Sequence, residues 1–223
     1  MSKELKSNSP EVEILEEAQS NHTFLPDVFT ASETYAKRFS GELGEWMLQR
    51  QSEIVAKYIK SLPNKPRSIL DIGGGHGQLT RLFLDMGMQV AVQGSNESSF
   101  QRLEALGLRS KVTCLTSPLD KIKLMPRGFD LVCAFRLVPH TPDVRSLLKL
   151  MCESSREAVL FDYSPRFSAN FLSPLLFPLK KRIEKTTRPF FCHSLGEISR
   201  PLKDMGFVHI SEERQFALPL GLH

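Results

Sequence analysis

The 223-residue sequence predicts an α/β fold: a doubly wound, mostly parallel sheet behind an N-terminal helical cap. Three observations predict it. After residue 66 short apolar runs alternate with helical periodicity, which is the grammar of βαβ units with helices on both faces of a sheet. A cluster of glycines falls in the first strand-to-helix turn of that series. The composition, 41% hydrophobic and 24% charged, is that of a folded domain and excludes a disordered chain, a collagen-like repeat or a disulfide miniprotein. A chain of this length buries roughly 70% of its unfolded surface, enough for one domain with a sizeable core.

Taken in order, residues 1–34 are polar, acidic and rich in Ser and Asn, and are expected to form a mobile arm. Residues 35–66 form the cap. Leu43, Trp46, Met47, Ile54, Val55, Tyr58, Ile59 and Leu62 recur at three- and four-residue steps and make one apolar stripe, ended by Pro63 and Pro66. Trp46 is expected to pack as part of that stripe. Within 67–223, strands are expected at Ser68–Ile72, Gln89–Gln93, Lys111–Leu115, Phe129–Phe135 and Ala158–Tyr163. Helices are expected at Gln78–Met86, Glu97–Leu106, Asp143–Ser154 and Leu195–Met205. Strands near Phe207–Ile210 and Gln215–Leu218 would close the sheet as a hairpin-like pair.

The four cysteines, Cys114, Cys133, Cys152 and Cys192, show no Cys-x-x-Cys spacing, and no metal site is expected. The N-terminus lacks the apolar core of a signal peptide. The longest apolar stretch, Phe171 to Leu179, is too short and too Pro-rich to cross a bilayer, which takes about 20 residues. A cytoplasmic location follows as the expectation.

The most informative segment is SILDIGGGHGQLTRLFL, residues 68–84. Glycines let the backbone turn sharply and approach a ligand closely, and the following helix aims its N-terminal amides at that place. The third glycine of a dinucleotide fingerprint would fall on Gln78. The chain instead reads Asp71-x-Gly73-x-Gly75-x-Gly77, an acid ending the strand. An acid there suits a cationic amine and a sulfonium better than a pyrophosphate. His76, inside the turn, is expected to face outward.

This arrangement resembles motif I of the class I S-adenosylmethionine-dependent methyltransferases, type 11-like in kind, over about residues 35–223. GFDLVCAFRLVPH, residues 128–140, looks like the family's fourth strand and the segment after it. FFCHSLGEISRPLKDMGF, residues 190–207, looks like the penultimate helix and its exit. The resemblance implies a Rossmann-like methyltransferase fold, S-adenosyl-L-methionine as cofactor, and contact with it from Asp71, Gly73, Gly75, Gly77 and Phe135. The family's ribose-binding acid at the end of the second strand is replaced here by Gly94, with Asn96 two residues on and Glu97 after it. Its adenine-side acid is replaced by Ser117 or Pro118, with Asp120 slightly beyond. Gly94, Asn96 and Ser117 are therefore the remaining cofactor-side candidates, Asn96 able to bond one ribose hydroxyl.

Methyl transfer needs alignment and exclusion of water more than a fixed catalytic set. The candidate catalytic residues are His140, able to take a proton from a hydroxyl or amine, and Arg136, able to fix an acidic group on the substrate or the cofactor carboxylate. A backbone-satisfied loop histidine weighs equally for His140. Asp162 and Tyr163 sit where open sheets place ligands, or cap the next segment. Tyr163 and Arg188 are the substrate-side candidates.

The resemblance implies that residues 166–192 are a substrate-recognition insert, and that Tyr35 and Trp46 in the cap cover the cofactor. Five basic groups and one acid in 180–188 give a local +4, equal to the excess of 29 Lys and Arg over 25 Asp and Glu in the whole chain. A lid meeting an anionic or lipid-like substrate or a membrane surface and an amphipathic helix with a solvated basic face are both compatible with it. Nucleic acid is not expected as a partner, and either a monomer or a homodimer fits. The resulting expectation is methyl transfer to oxygen or nitrogen of a small or lipid-like acceptor. The alternative is a non-catalytic protein of the same fold that binds a partner or membrane. A nicotinamide-dependent oxidoreductase is disfavoured by Gln78.

Overall fold

The computed structural model describes residues 36–166 and 191–213, leaving out the side chain of Arg38. The expected arm, Tyr35, Arg188, the bulk of the basic insert and the strand at Gln215–Leu218 lie outside the described residues.

Among the described residues five strands build one sheet: β1 (Ser68–Ile72), β2 (Gln89–Gly94), β3 (Thr113–Thr116), β4 (Phe129–Ala134) and β5 (Ser155–Phe161). Their order is β3-β2-β1-β4-β5, and every pairing is parallel, with Leu70 opposite Ala91 on one side and Val132 on the other. The order reverses direction at β1, so the crevice beyond the carboxyl ends of β1 and β4 is the place where such sheets take ligands. Among the described residues the helices are α1 (Glu42–Ser61), α2 (Gln78–Asp85), α3 (Gln101–Ala105), α4 (Val144–Ser154) and α5 (Leu195–Asp204).

Strand residues alternate between two cores. Ile69, Val90, Val92, Leu131 and Cys133 face a layer containing Val55, Ile59, Phe83 and Leu103. Leu70, Ile72, Ala91, Val132 and Ala134 face Leu148, Met151 and Ile198. Both faces are covered, which is why the strands read as continuous apolar runs.

Helix termini follow local chemistry. Leu62 is extended, as the residue before Pro63 must be, and ends α1. The Asp143 carboxylate accepts from the Ser146 N–H to open α4. Ser194 and Glu197 form a reciprocal capping box on α5.

Three expectations change. Trp46 and Leu43 are not buried with the stripe; they are 50% and 40% exposed. Gly44 is the buried residue there, because a Cβ on it would strike the Phe39 backbone, and Trp46 lies two residues on, about 200° around the helix. The helix expected at Glu97–Leu106 is a 3-10 turn, Glu97–Phe100, followed by the short α3. Phe207–Ile210 forms no strand, and Val208 and Ile210 are 80% and 69% exposed. This segment instead leads to Glu213, which pairs with Arg50 at 2.8 Å and Lys57 at 3.3 Å on α1.

Candidate functional site

β1 delivers Asp71 to the crevice with its carboxyl buried. Cys133, its partner across β4, donates its thiol hydrogen to Asp71 Oδ1 at 3.3 Å. Burial pushes the Asp71 pKa up to about 7, outweighing that bond and the nearby positive charge of Arg136. The chain then turns at Gly73, whose φ of +69° is left-handed, and passes through a 3-10 turn to Gly77, φ +77°, the cap of α2. The closest approach is at Gly74, where a Cβ would collide with the Asp71 carboxylate. Asp71, Gly73, Gly74, His76, Gly77, Gln78, Leu79, Phe135 and Arg136 line a single cleft. Gly75 is buried within the turn and is not part of that lining.

His76 faces inward, contrary to expectation, at 5% exposure. Its ring meets Phe39 edge to face, centroids 6.1 Å apart. Burial, with the positive charges of Arg136 and Arg102, lowers its pKa to about 3, so the imidazole is neutral.

Arg136 follows β4 and adopts φ +59°, a left-handed conformation that is costly for a non-glycine residue. Asp162 holds it there, Oδ1 accepting the Arg136 N–H at 2.6 Å, while burial raises the pKa of Asp162. Asp162 thus ties the end of β5 to the loop after the neighbouring β4. The guanidinium donates to Gln78 Oε1 at 2.6 Å and lies 5.1 Å from the centre of the Phe39 ring. Gln78 is itself pinned, Nε2 donating to the Leu48 carbonyl at 3.0 Å. The cleft beside the glycines is therefore spanned by the Arg136–Gln78 pair, with Phe39 packed on Arg136 and His76.

The second-strand side is built differently. Gln93, 1% exposed, accepts from the Gly73 N–H through both its backbone oxygen, at 3.0 Å, and Oε1, at 3.2 Å. Its Nε2 donates to the Ser117 carbonyl at 2.7 Å, and the Ser117 N–H donates to the Gly94 carbonyl at 2.9 Å. Gly94 has no space above it: a Cβ would lie 2.5 Å from Ser99 Cβ and 2.9 Å from Phe100 Cζ. Asn96 opens the following 3-10 turn, its N–H donating to Ser99 Oγ at 3.4 Å. Glu97 is engaged elsewhere, accepting from Thr116 Oγ1 at 2.6 Å and pairing with Arg109 at 3.0 Å.

His140 ends a 3-10 turn, Val138–His140, and is not among the residues lining the cleft. The Tyr163 hydroxyl donates to Glu212 Oε1 at 3.1 Å. The roots of the insert are joined: the His193 N–H donates to the Ser164 carbonyl at 2.8 Å, the Arg166 N–H to the His193 carbonyl at 3.2 Å, and the Phe191 N–H to the Pro139 carbonyl at 2.7 Å. The insert thus leaves and returns beside the loop carrying His140. Phe39, Gln78, Gln93 and Gly74 were not singled out from sequence as site residues. Only Gly74 carried a signal, being the middle of a glycine triplet.

The parallel sheet with its acid-ended first strand and glycine turn has the fold of the class I S-adenosylmethionine-dependent methyltransferases. Magnesium protoporphyrin IX methyltransferase of Synechocystis PCC 6803 with S-adenosylhomocysteine bound matches with a TM-score of 0.58 at 17% identity, over 81% of this chain and 87% of that one. Its S-adenosylmethionine-bound form matches at 0.56 and 15% identity over 92% and 89%. An S-adenosylmethionine-dependent methyltransferase of Mesorhizobium loti matches at 0.55 and 19% identity over 71% and 82%. No protein-family model matches the sequence, and no curated protein matches it.

Proposed function

We propose that this chain binds S-adenosyl-L-methionine in the cleft between the glycine turn and the end of β4, and transfers its methyl group to a small-molecule acceptor. The observation that carries this reading is the buried Asp71 carboxyl held against Gly74, in a cradle that any Cβ would fill. A desolvated carboxyl beside a tight glycine turn fits the cationic amino-acid end of that cofactor. On the ribose side the fit is poorer: Gly94 is covered and Glu97 is committed, leaving Asn96 and Ser117 to make neutral contacts.

The cofactor supplies an electrophilic methyl group on a sulfonium. Asp71 neutralises and orients its ammonium, Gly73 and Gly77 allow the backbone to close around it, and Phe135 forms an apolar wall. Phe39 shields the cleft from water. His140 stands beside the insert roots and takes a proton from an oxygen or nitrogen acceptor. Tyr163 and Arg188 contact an acceptor that is small or lipid-like and carries an anionic group, and the basic insert gives peripheral contact with a membrane. Among the described residues no helix is long and apolar enough to cross a membrane, and a cytoplasmic setting is part of the proposal.

Calorimetric titration with S-adenosylhomocysteine tests the cofactor. Saturable binding supports it, and silence at millimolar ligand ends it. Mass spectrometry of cell extract incubated with protein and deuteromethyl cofactor then identifies the acceptor by its added label. A second reading, a non-catalytic protein of this fold, is favoured by the Arg136–Gln78 pair spanning the cleft. It predicts no labelled product from any extract.

A further inference from the structure

The cap helix meets the end of β5 along a seam, and two adjacent acids lie across it. At the seam Gln51 Nε2 of α1 donates to Asp162 Oδ2 at 3.5 Å. The residues next to these two, Arg50 and Tyr163, are joined through the chain that follows α5. Glu212 Oε1 accepts from the Tyr163 hydroxyl at 3.1 Å. Glu213 pairs with Arg50 at 2.8 Å through Oε1 and with Lys57 at 3.3 Å through Oε2. Arg50 and Lys57 stand about two turns apart on one face of α1, so a single carboxylate reaches both. The segment carrying the acids is anchored at its start, where the Phe207 N–H donates to the Leu202 carbonyl at 2.9 Å. From Val208 to Glu213 it forms no helix or strand, and among the described residues its backbone makes no further hydrogen bond to backbone. Val208 and Ile210 add no packing, being exposed. Side-chain charge therefore holds its far end. The side chains of Arg50 and Lys57 are 46% and 70% exposed, which leaves the pairs open to screening by salt.

We infer that Glu212 and Glu213 form an electrostatic latch that holds α1 against the end of β5 and sets the rate at which the cleft opens to its ligand. The two residues that span the cleft are tied to opposite sides of this seam. Gln78 is bonded to the Leu48 carbonyl of α1, and the Arg136 N–H to Asp162 at the end of β5. Movement of α1 away from β5 draws those two apart. The acids are not among the residues lining the cleft, so the latch changes entry and exit together and leaves affinity in place. The latch stands on its own contacts, and only its effect on ligand rates rests on the cofactor reading above.

Hydrogen–deuterium exchange on the full chain reads the latch directly. Glu212→Ala combined with Glu213→Ala raises exchange in α1 by about three- to tenfold and leaves α4 unchanged. In the wild type, raising salt from about 20 mM to about 500 mM shortens the screening length from roughly 20 Å to roughly 4 Å and produces the same rise. The double variant shows no such salt response. Arg50→Gln combined with Lys57→Gln removes the opposite charges and reproduces the double variant. Unchanged exchange in α1, a salt response retained by the double variant, or an equal rise in α4 overturns the latch. Stopped-flow mixing with S-adenosylhomocysteine then reads the gate: in the double variant association and dissociation quicken by the same factor, and the dissociation constant does not move. Wild-type rates, or a loss of affinity, overturn the gating while the exchange result stands. A wild type that binds no S-adenosylhomocysteine overturns the cofactor reading, and exchange alone then decides the latch.

Discussion

Asp71 and Cys133 face each other across adjacent parallel strands and share a hydrogen bond at 3.3 Å inside the core layer. The thiol is a weak donor, and burial raises the Cys133 pKa well above its ordinary value, so it stays protonated. The partnership therefore supplies a hydrogen but no compensating charge, and Asp71 titrates near neutrality.

Binding of a cationic ammonium follows from that titration. Asp71 must be ionised to receive it, and the groups facing it are Cys133 and Arg136. S-adenosylhomocysteine should bind about tenfold more weakly at pH 6 than at pH 8. Asp71→Asn should weaken binding at both values and flatten the profile. Calorimetry across that range reads both outcomes.

The stability effect of Asp71 has the opposite direction. Its pKa rises from an ordinary 3.8 to about 7 on folding, so its contribution is fully present below pH 3.8 and is lost as pH climbs through 7. Asp71→Asn should therefore be more stable than wild type at pH 8, by roughly 2 kcal/mol or more, with the gain vanishing near pH 4. Urea denaturation at the two values measures it.

His76 slopes the other way. Its pKa falls from 6.5 to about 3 on folding, so its contribution is present above pH 6.5 and is lost as pH falls toward 3. Between about pH 4 and pH 6.5 the two residues oppose each other, and the wild-type stability curve should be comparatively flat there. His76→Leu should expose the Asp71 slope, with stability declining as pH rises through that interval. The same denaturation series on the variant decides it.

Gly74 and Gly196 separate a required glycine from an incidental one. Gly74→Ala drives a methyl group into the Asp71 carboxylate and should cost roughly 3 kcal/mol together with ligand binding. Gly196, in the first turn of α5, has open space around it, and Gly196→Ala should be neutral or stabilising by up to about 1 kcal/mol. Denaturant midpoints of both variants provide the comparison.

Asp130 ties three elements together at the other end of the sheet. Its carboxylate accepts the Arg67 N–H at 2.8 Å, the Ser68 N–H at 3.0 Å and Arg156 Nε at 2.8 Å. Burial works against its ionised form, but these hydrogen bonds hold its pKa below the ordinary value. Asp130→Ala should cost about 2–3 kcal/mol with ligand affinity unchanged, because the cleft lies at the opposite ends of β1 and β4. Melting curves and S-adenosylhomocysteine titrations on one preparation test both halves.

The sheet was legible because each buried strand is a continuous apolar run, and Asp71 because an acid ended the first one. What escaped depended on partners far away in sequence. His76 turns inward because Phe39, from the segment before α1, packs on it. Arg136 takes its left-handed backbone from Asp162, 26 residues later. Trp46 falls outside because Gly44, with no apolar side chain to mark it, lets Phe39 sit on the helix. The strand expected at Phe207–Ile210 is mostly apolar, yet Val208 and Ile210 are exposed and the segment leads to Glu213, which pairs with α1.

The covered Gly94 bears on how such a cleft can change over generations of sequence. An acid cannot be placed there by one substitution, since Phe100 and Ser99 already fill the volume that its first carbon would need. Phe100 is also stacked under Arg109, which grips Glu97. Placing a charged group at this position would require rebuilding that whole corner at once, so the packing of Ser99, Phe100 and Arg109 keeps the second-strand side neutral.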